Sequence, residues 1–218
     1  MAVSRLLAEL APACDARLGV RVDIDSVGGV DAACRVAEGE LLDFVVVAET
    51  AMSRLALASR VDPATCVPIA RAAMAMAVAP GGKLPRIATA EAVRDAVLTA
   101  SRVAYSTGPS GQHLLALLDR WAIAERIAPR LVLAPPGTSV ASLLARGDAD
   151  IGFQQMSELV GVTGIAIAGP LPADIAAITV FEGAACTTTR QSPRVRDVLA
   201  FLGSTEHAAR RARHGFES

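Results

Sequence analysis

Apolar residues at Leu6, Leu7, Leu10 and Ala13 recur at the spacing of one helix face, and Gly19 stands where such a helix would stop, so a helix is expected over 2–18. The next stretch, Val20-Arg-Val-Asp-Ile-Asp, alternates apolar and polar positions, which predicts a half-buried strand ending at Ser26. A helix follows over Val30 to Glu38. The continuous, β-branched run Asp43-Phe-Val-Val-Val-Ala has the pattern of a strand covered on both faces, and a further helix is expected over Thr50 to Ser59. Helices alternating with such strands indicate an α/β sheet, whose ligands bind beyond the carboxyl ends of the strands.

Ala72-Ala-Met-Ala-Met-Ala-Val-Ala, then Pro80-Gly-Gly, reads as a strand leaving this first block. A second α/β pattern begins after it. It contains a helix at 90–99, a strand Arg102-Val-Ala-Tyr-Ser, a helix from Ser110 to about Ala124, and a strand near Leu131-Val-Leu. A helix at 139–146 and a strand Ile151-Gly-Phe come next, and Ile165-Ala-Ile-Ala and Ala177-Ile-Thr-Val-Phe supply the last strands. Closing helices are expected over Pro193 to Phe201 and Glu206 to His214, the latter basic and solvated. The expected organisation is one lobe from 1–78 plus 181–218 and a second from 79–180.

Composition narrows the function classes. The chain has 218 residues, of which 52% are hydrophobic and 20% charged, enough to bury a core and opposite to a disordered chain. With 21 Lys+Arg against 22 Asp+Glu there is no basic field to track a phosphate backbone, so nucleic acid is excluded as an expected partner. Aromatics make up 3%, with one Trp121 and one Tyr105, so a pocket here is lined by small side chains and backbone. No uncharged apolar run reaches the ~18 residues of a membrane span. Cys14, Cys34, Cys66 and Cys186 lack the C-x-x-C spacing of metal or redox sites and read as small hydrophobes; a Cys14–Cys34 disulfide would require an oxidising compartment.

Two glycine- and serine-containing turns carry the candidate chemistry. Ser26-Val-Gly-Gly-Val-Asp joins the first expected strand to a helix, and Gly28 and Gly29 let backbone N–H groups approach a ligand. Ser106-Thr-Gly-Pro-Ser-Gly repeats the arrangement in the second block, with Ser110 as expected N-cap, Ser106 and Thr107 as hydroxyl donors, and Gly108 and Gly111 giving backbone access. The first N–H groups of a helix lack intrahelical partners and carry partial positive charge, so such turns suit anions. A third turn, Pro135-Pro-Gly-Thr-Ser, contains Gly137 and Thr138, and Gln154 and Gln155 end a strand on alternate faces, so one of the two can point at a given pocket. Neither glycine turn matches a nucleotide-binding fingerprint. No metal-ligand spacing or nucleophile elbow is present, and no metal or other cofactor is expected. Among the three histidines, His113 lies nearest a candidate turn, at N3 counted from Ser110.

In order and spacing, Gly19-Val-Arg-Val, Ala37-Glu-Gly with Asp43-Phe-Val-Val-Val, Val103-Ala-Tyr-Ser with Pro109-Ser-Gly, Leu144-Ala-Arg-Gly-Asp-Ala-Asp-Ile-Gly-Phe, and the ending from Phe201-Leu-Gly-Ser to Arg213-His-Gly-Phe resemble the type 2 periplasmic solute-binding proteins, in their molybdate-binding-protein-like branch. The resemblance implies two Rossmann-like α/β lobes joined by crossing strands, hinged near Ala77–Pro80 and Val180–Glu182, closing without chemistry on a small oxyanion or organic carboxylate, with an ABC-type membrane transporter as partner. It matches Gly28, Gly29, Ser110, Gly137, Thr138 and Gln155 to ligand positions of the family, and together with Ser26, Ser106, Thr107, Gly111 and Gln154 from the turns and strand end above these are the expected ligand-binding residues. Gly28 and Gly29 stand where molybdate binders have serines and Gln155 where they have a tyrosine, which changes the donors on offer and favours a carboxylate at least as well as molybdate. Some members of the superfamily resemble aconitate isomerase, and for that alternative His113, Tyr105 or Glu158 would serve as base.

The family fold has a strand before the helix that here begins near Ala2, so the resemblance implies a first strand of lobe 1 missing from this sequence. Arg5, Glu9, Asp15 and Arg17 interrupt any signal-peptide run. The resemblance implies the periplasm; a true start at Met1 would leave the protein in the cytoplasm.

Overall fold

The structure, a computed structural model, describes residues 2–217, so Met1 and Ser218 of the expected first lobe lie outside the described residues. In chain order the elements are α1 (Ser4–Leu18), α2 (Gly29–Ala37), β1 (Phe44–Ala48), α3 (Glu49–Leu57), β2 (Val67–Val78), α4 (Ala90–Thr99), β3 (Val103–Tyr105), α5 (Pro109–Arg120), α6 (Ala124–Ile127), β4 (Leu131–Leu133), α7 (Val140–Ala145), β5 (Ile151–Gln155), α8 (Met156–Leu159), β6 (Ala166–Pro170), β7 (Ile178–Ala185), α9 (Ser192–Gly203) and α10 (Ala208–Arg213). They form two compact units. The chain passes from unit 1 to unit 2 inside β2, after Arg71, and returns inside β7, after Thr179. The first crossing precedes the expected 78/79 boundary because the second half of β2, Met74–Val78, is laddered to β5.

In unit 1, α1 buries Leu6, Leu7, Leu10 and Cys14, the face that the sequence pattern marked. Gly19 ends it in the left-handed region at φ 63°, with its N–H on the Asp15 carbonyl. β1 pairs antiparallel with β7, Phe44 opposite Ala185 and Ala48 opposite Phe181, and Val36, Val45, Val47, Met52 and Leu55 form the core beside that pair. The strand expected at 20–25 does not form. Val22 and Ile24 are half-buried while Arg21 and Asp23 are exposed, so the alternation survives, but a strand needs a neighbour's N–H and C=O groups and the ladder of unit 1 ends at β1. This extended stretch is tethered instead by Arg35, which donates to Asp25 and to Glu40, both at 2.6 Å. The C-terminal segment also departs from the solvated helix expected for it: His207 is buried with its ring 4.6 Å from that of Phe201, and His214 bonds Glu9 at 2.8 Å. All four cysteines are free thiols; Cys14 and Cys186 are buried, whereas Cys34 is exposed.

In unit 2, β3 lies between β4 and β5 and is parallel to both, while β5 pairs antiparallel with β2, which also pairs antiparallel with β6. The alternating run in β2 is explained by what covers each face. Met74, Met76 and Val78 join Val93, Val97, Leu114, Leu117 and Phe153 under α4 and α5. Ala75 and Ala77 face the opposite layer, with Ala104, Val140, Leu143 and Leu144. That second layer is thin because α7 sits close to the sheet: a Cβ added at Gly152 would strike Val140 Cγ1 and come within 3.3 Å of both Ala104 Cβ and Leu144 Cδ1. Gly152→Ala is therefore expected to cost about 1–3 kcal/mol through overpacking and to lower the melting temperature by roughly 2–4 °C per kcal/mol. A thermal melt followed by circular dichroism checks it, and an unchanged midpoint would refute the close approach.

Candidate functional site

Three of the predicted features converge at one edge of unit 2. The parallel pairings set Tyr105 beside Leu133 and Ala104 beside Gly152, so the segments leaving β3, β4 and β5 emerge at the same, carboxyl, edge of the sheet. These are the 106–111 turn, the 134–139 turn, and Gln154–Gln155 with α8. From β3 the chain proceeds through α5 to β4 on one side, and from β5 it proceeds through α8 to β6, beyond β2 on the other. Adjacent strands whose connections depart in opposite directions leave a crevice outside their carboxyl ends, and in an open α/β sheet that is where ligands bind.

The 106–111 turn is built around one close approach. A Cβ at Gly111 would land on the Ser106 carbonyl oxygen, so only glycine allows the turn to fold back on the first turn of α5. Gly108, not Ser110, is the N-cap, because Pro109 with its fixed φ occupies the first helical position. Ser110 is thus inside the helix and buried, and His113 lies a further two positions along than the expected N3. Pro109 has no N–H, and the N–H groups of Gly111 and Gln112 both return to the Gly108 carbonyl, at 3.0 and 3.1 Å. The Ser110 N–H is left as the first-turn donor. Ser106 is half-buried beside it and Thr107 is exposed.

The other two segments are more committed. Pro135-Pro-Gly-Thr closes as a type II turn, with Gly137 at φ 75° and the Thr138 N–H on the Pro135 carbonyl at 3.0 Å, so that N–H is already used. Ser139 caps α7 by accepting from the Ser142 N–H at 3.0 Å, and Gln154 Oε1 accepts from the Ala141 N–H at 3.1 Å. Gln154 therefore completes the start of α7. Gln155 is on the opposite face, sharing the parity of Ile151 and Phe153, on the side that α5 covers. Both glutamines are buried, in place of the solvent-facing polarity that a strand-end amide pair can equally have. Gln155 Nε2 donates to Thr179 Oγ1 at 2.7 Å, and its Oε1 is buried with no hydrogen-bond partner. Thr179 is absent from the sequence-derived site, although its place in β7 at the same inward parity as buried Phe181 marks it as a polar residue facing in.

Ser26, Gly28 and Gly29 belong to unit 1, at the start of α2. Gly28 is the N-cap and its carbonyl takes the Ala32 N–H at 2.8 Å. The Asp31 carboxylate stands 2.9 Å from where a Gly28 Cβ would be, while the space beside Gly29 is open and Ser26 is exposed. An acid in the first turn already meets the positive end of the helix, which lessens the attraction of this turn for an anion.

Of the candidate bases, His113 is half-buried on α5 and bonds the Ile175 carbonyl through Nε2 at 2.9 Å, so Nε2 is the protonated nitrogen and Nδ1 the basic one. Tyr105 packs against the cluster under α5, and Glu158 lies in α8. Burial pushes the thiols of Cys66 and Cys186 up to about 11, so neither is a thiolate nucleophile at neutral pH. Among the described residues no three His, Cys, Asp or Glu side chains group as metal ligands, and no helix is long and apolar enough to cross a membrane.

Residues 1–217 match the family described as bacterial extracellular solute-binding protein. The sequence is 31% identical over 205 residues to an aconitate isomerase from a Pseudomonas species, covering 92% of this chain and 78% of that protein. Among solved structures, the periplasmic molybdate-binding protein of Azotobacter vinelandii superposes with a TM-score of 0.75 at 18% identity, over 99% of this chain and 95% of that one. PEB3 bound to L-phospholactate superposes with a TM-score of 0.75 at 13% identity, over 100% and 96%. At those identities the structural likeness speaks to the fold alone, which is that of type 2 periplasmic binding proteins.

Proposed function

The chain belongs to the bacterial extracellular solute-binding protein family, and from that premise we propose that it binds a small polycarboxylate anion at the carboxyl edge of the unit 2 sheet and delivers it to an ABC-type membrane transporter. The observation that carries the choice of a carboxylate over an oxyanion such as molybdate is the 31% identity, across nearly the whole chain, to an enzyme named for aconitate. The residues suit such a ligand. No lysine or arginine is among Ser106, Thr107, Ser110, Gly111, Gly137, Thr138, Gln154 and Gln155. The charge is met by the Ser110 N–H at the start of α5 and by the Ser106 and Thr107 hydroxyls, as is usual where a helix N-terminus holds an anion.

A ligand that binds the native state raises its apparent stability. Citrate, cis-aconitate and trans-aconitate are expected to raise the melting temperature of the purified protein in proportion to the logarithm of concentration, and molybdate, tungstate and sulfate to leave it unchanged. A shift confined to the oxyanions would overturn the carboxylate reading.

The same relative favours a second reading, turnover of a bound carboxylic acid. Isomerisation of aconitate removes a proton from the methylene carbon and returns one at the far end of the shifted double bond. His113 Nδ1, the Tyr105 hydroxyl and the Glu158 carboxyl are the groups proposed to carry that proton. Solvent deuterium entering cis- or trans-aconitate in the presence of the protein, and lost with His113→Ala, would establish it; no incorporation at high protein concentration would leave binding alone.

A further inference from the structure

We propose that Thr179 is a positioning residue that fixes the Gln155 amide so that its carbonyl oxygen faces the ligand, selecting carboxylates that carry a hydroxyl group; this rests on the carboxylate reading above and narrows it. The Thr179 hydroxyl accepts from Gln155 Nε2 at 2.7 Å, which uses one of its two N–H groups and orients the amide, and Oε1 is the polar atom with no bond of its own. That oxygen is buried and has no partner. Buried side-chain acceptors are nearly always satisfied, and leaving one unmade costs about 1–3 kcal/mol, so a native exception at the edge of a candidate site calls for a ligand group to fill it.

What fills it has to donate. Gln155 is the last residue of β5, on the face that α5 covers and at the edge where α5 begins with the Ser110 N–H. The site thus offers a donor at Ser110 and an acceptor at Gln155. A deprotonated oxyanion presents acceptors only, and so does a fully ionised carboxylate without a hydroxyl. A hydroxycarboxylate presents both: its carboxylate oxygen accepts from Ser110 N–H and its hydroxyl donates to Gln155 Oε1. The hydroxyl-free aconitates still bind through their carboxylates, more weakly than a hydroxycarboxylate of the same charge. Sites that pair a ligand hydroxyl discriminate strongly against the analogue lacking it, because the protein atom is then left unpaired.

The experiment is calorimetric titration with citrate and with propane-1,2,3-tricarboxylate, which has the same three carboxylates and no hydroxyl. The wild-type protein is expected to bind citrate at least about tenfold more tightly, the ratio that corresponds to one recovered hydrogen bond. Thr179→Ser keeps the hydroxyl and is expected to keep the ratio; Thr179→Val removes the acceptor for Nε2 and is expected to bring the ratio close to one. A merely structural role would weaken both ligands together and leave their ratio unmoved. Should Thr179→Val not fold, Gln155→Met, of similar length and without the amide, is expected to abolish the ratio in the same way. Equal wild-type affinity for the two ligands, or a Thr179→Val protein with the wild-type ratio, would overturn the inference and leave the carboxylate reading intact. Binding of neither tricarboxylate would overturn both.

Discussion

Gly111→Ala is expected to abolish binding of tricarboxylates and to destabilise unit 2. The added Cβ would occupy the position of the Ser106 carbonyl oxygen, a backbone atom that cannot step aside as the end of a flexible side chain would. Either the 106–111 turn lifts from α5 or the first turn of α5 unwinds. Both displace the Ser110 N–H and the Ser106 hydroxyl, and losing two donors to a charged ligand at about 1.5–3 kcal/mol each corresponds to a hundredfold or more in affinity. The structural cost is expected at about 3 kcal/mol, the upper part of the range for overpacking, because main chain rather than side chain is forced to move. A protein of this size loses roughly 2–4 °C of melting temperature per kcal/mol. Gly108→Ala is the informative control: a Cβ there meets only the Ser106 Oγ, at 3.6 Å, so its effect on both readouts is expected to be small. Equal behaviour of the two variants would mean that the turn does not depend on the close approach.

The contrast between these glycines illustrates what sequence can and cannot convey. Local signals were legible: the apolar stripe of α1 and its stop at Gly19, the buried run of β1, and the Met and Ala alternation of β2. The N-cap of α5 was also within reach, because a proline favours the first helical position and Pro109 therefore points to Gly108 rather than Ser110 as the cap. The missing strand at 20–25 was not. Its pattern is that of a strand, but strand formation depends on a neighbour remote in sequence, which no property of six residues reports. The two glutamines divide in the same way. Their opposite faces follow from parity, whereas the partners that assign their roles, Ala141 for Gln154 and Thr179 for Gln155, lie 13 and 24 residues away.

Arg211→Met is expected to be the most destabilising substitution in unit 1 that leaves the candidate site untouched. Arg211 is buried in α10 and donates from Nε to the Ile69 carbonyl at 2.6 Å, from Nη1 to Ser204 at 2.8 Å and from Nη2 to Leu202 at 2.9 Å. Two of those carbonyls lie at the C-terminal end of α9, where the helix presents unpaired acceptors and partial negative charge. The third belongs to β2, so one guanidinium joins a strand, the end of a helix and the helix that follows. Burial pulls its pKa below the usual arginine value, yet guanidinium remains charged in proteins, and charge-assisted bonds to carbonyls stand in for a counter-ion. Methionine fills much of the same volume and satisfies none of the three acceptors, which predicts a loss of about 3–5 kcal/mol and a fall in melting temperature on the order of 10 °C. Lysine keeps the charge but its ammonium is a point, not a fork, and cannot reach three separated carbonyls, so Arg211→Lys is expected to fall between methionine and wild type. Arg213→Met serves as the reference, because Arg213 is exposed where it pairs with Glu9 and exposed ion pairs contribute about 0–1 kcal/mol. Urea unfolding of the four proteins separates these outcomes, provided the denaturant slope is unchanged. If Arg211→Met and Arg213→Met unfold at the same midpoint, the three carbonyls find other donors, and the arginine is not what joins α9 and α10 to β2.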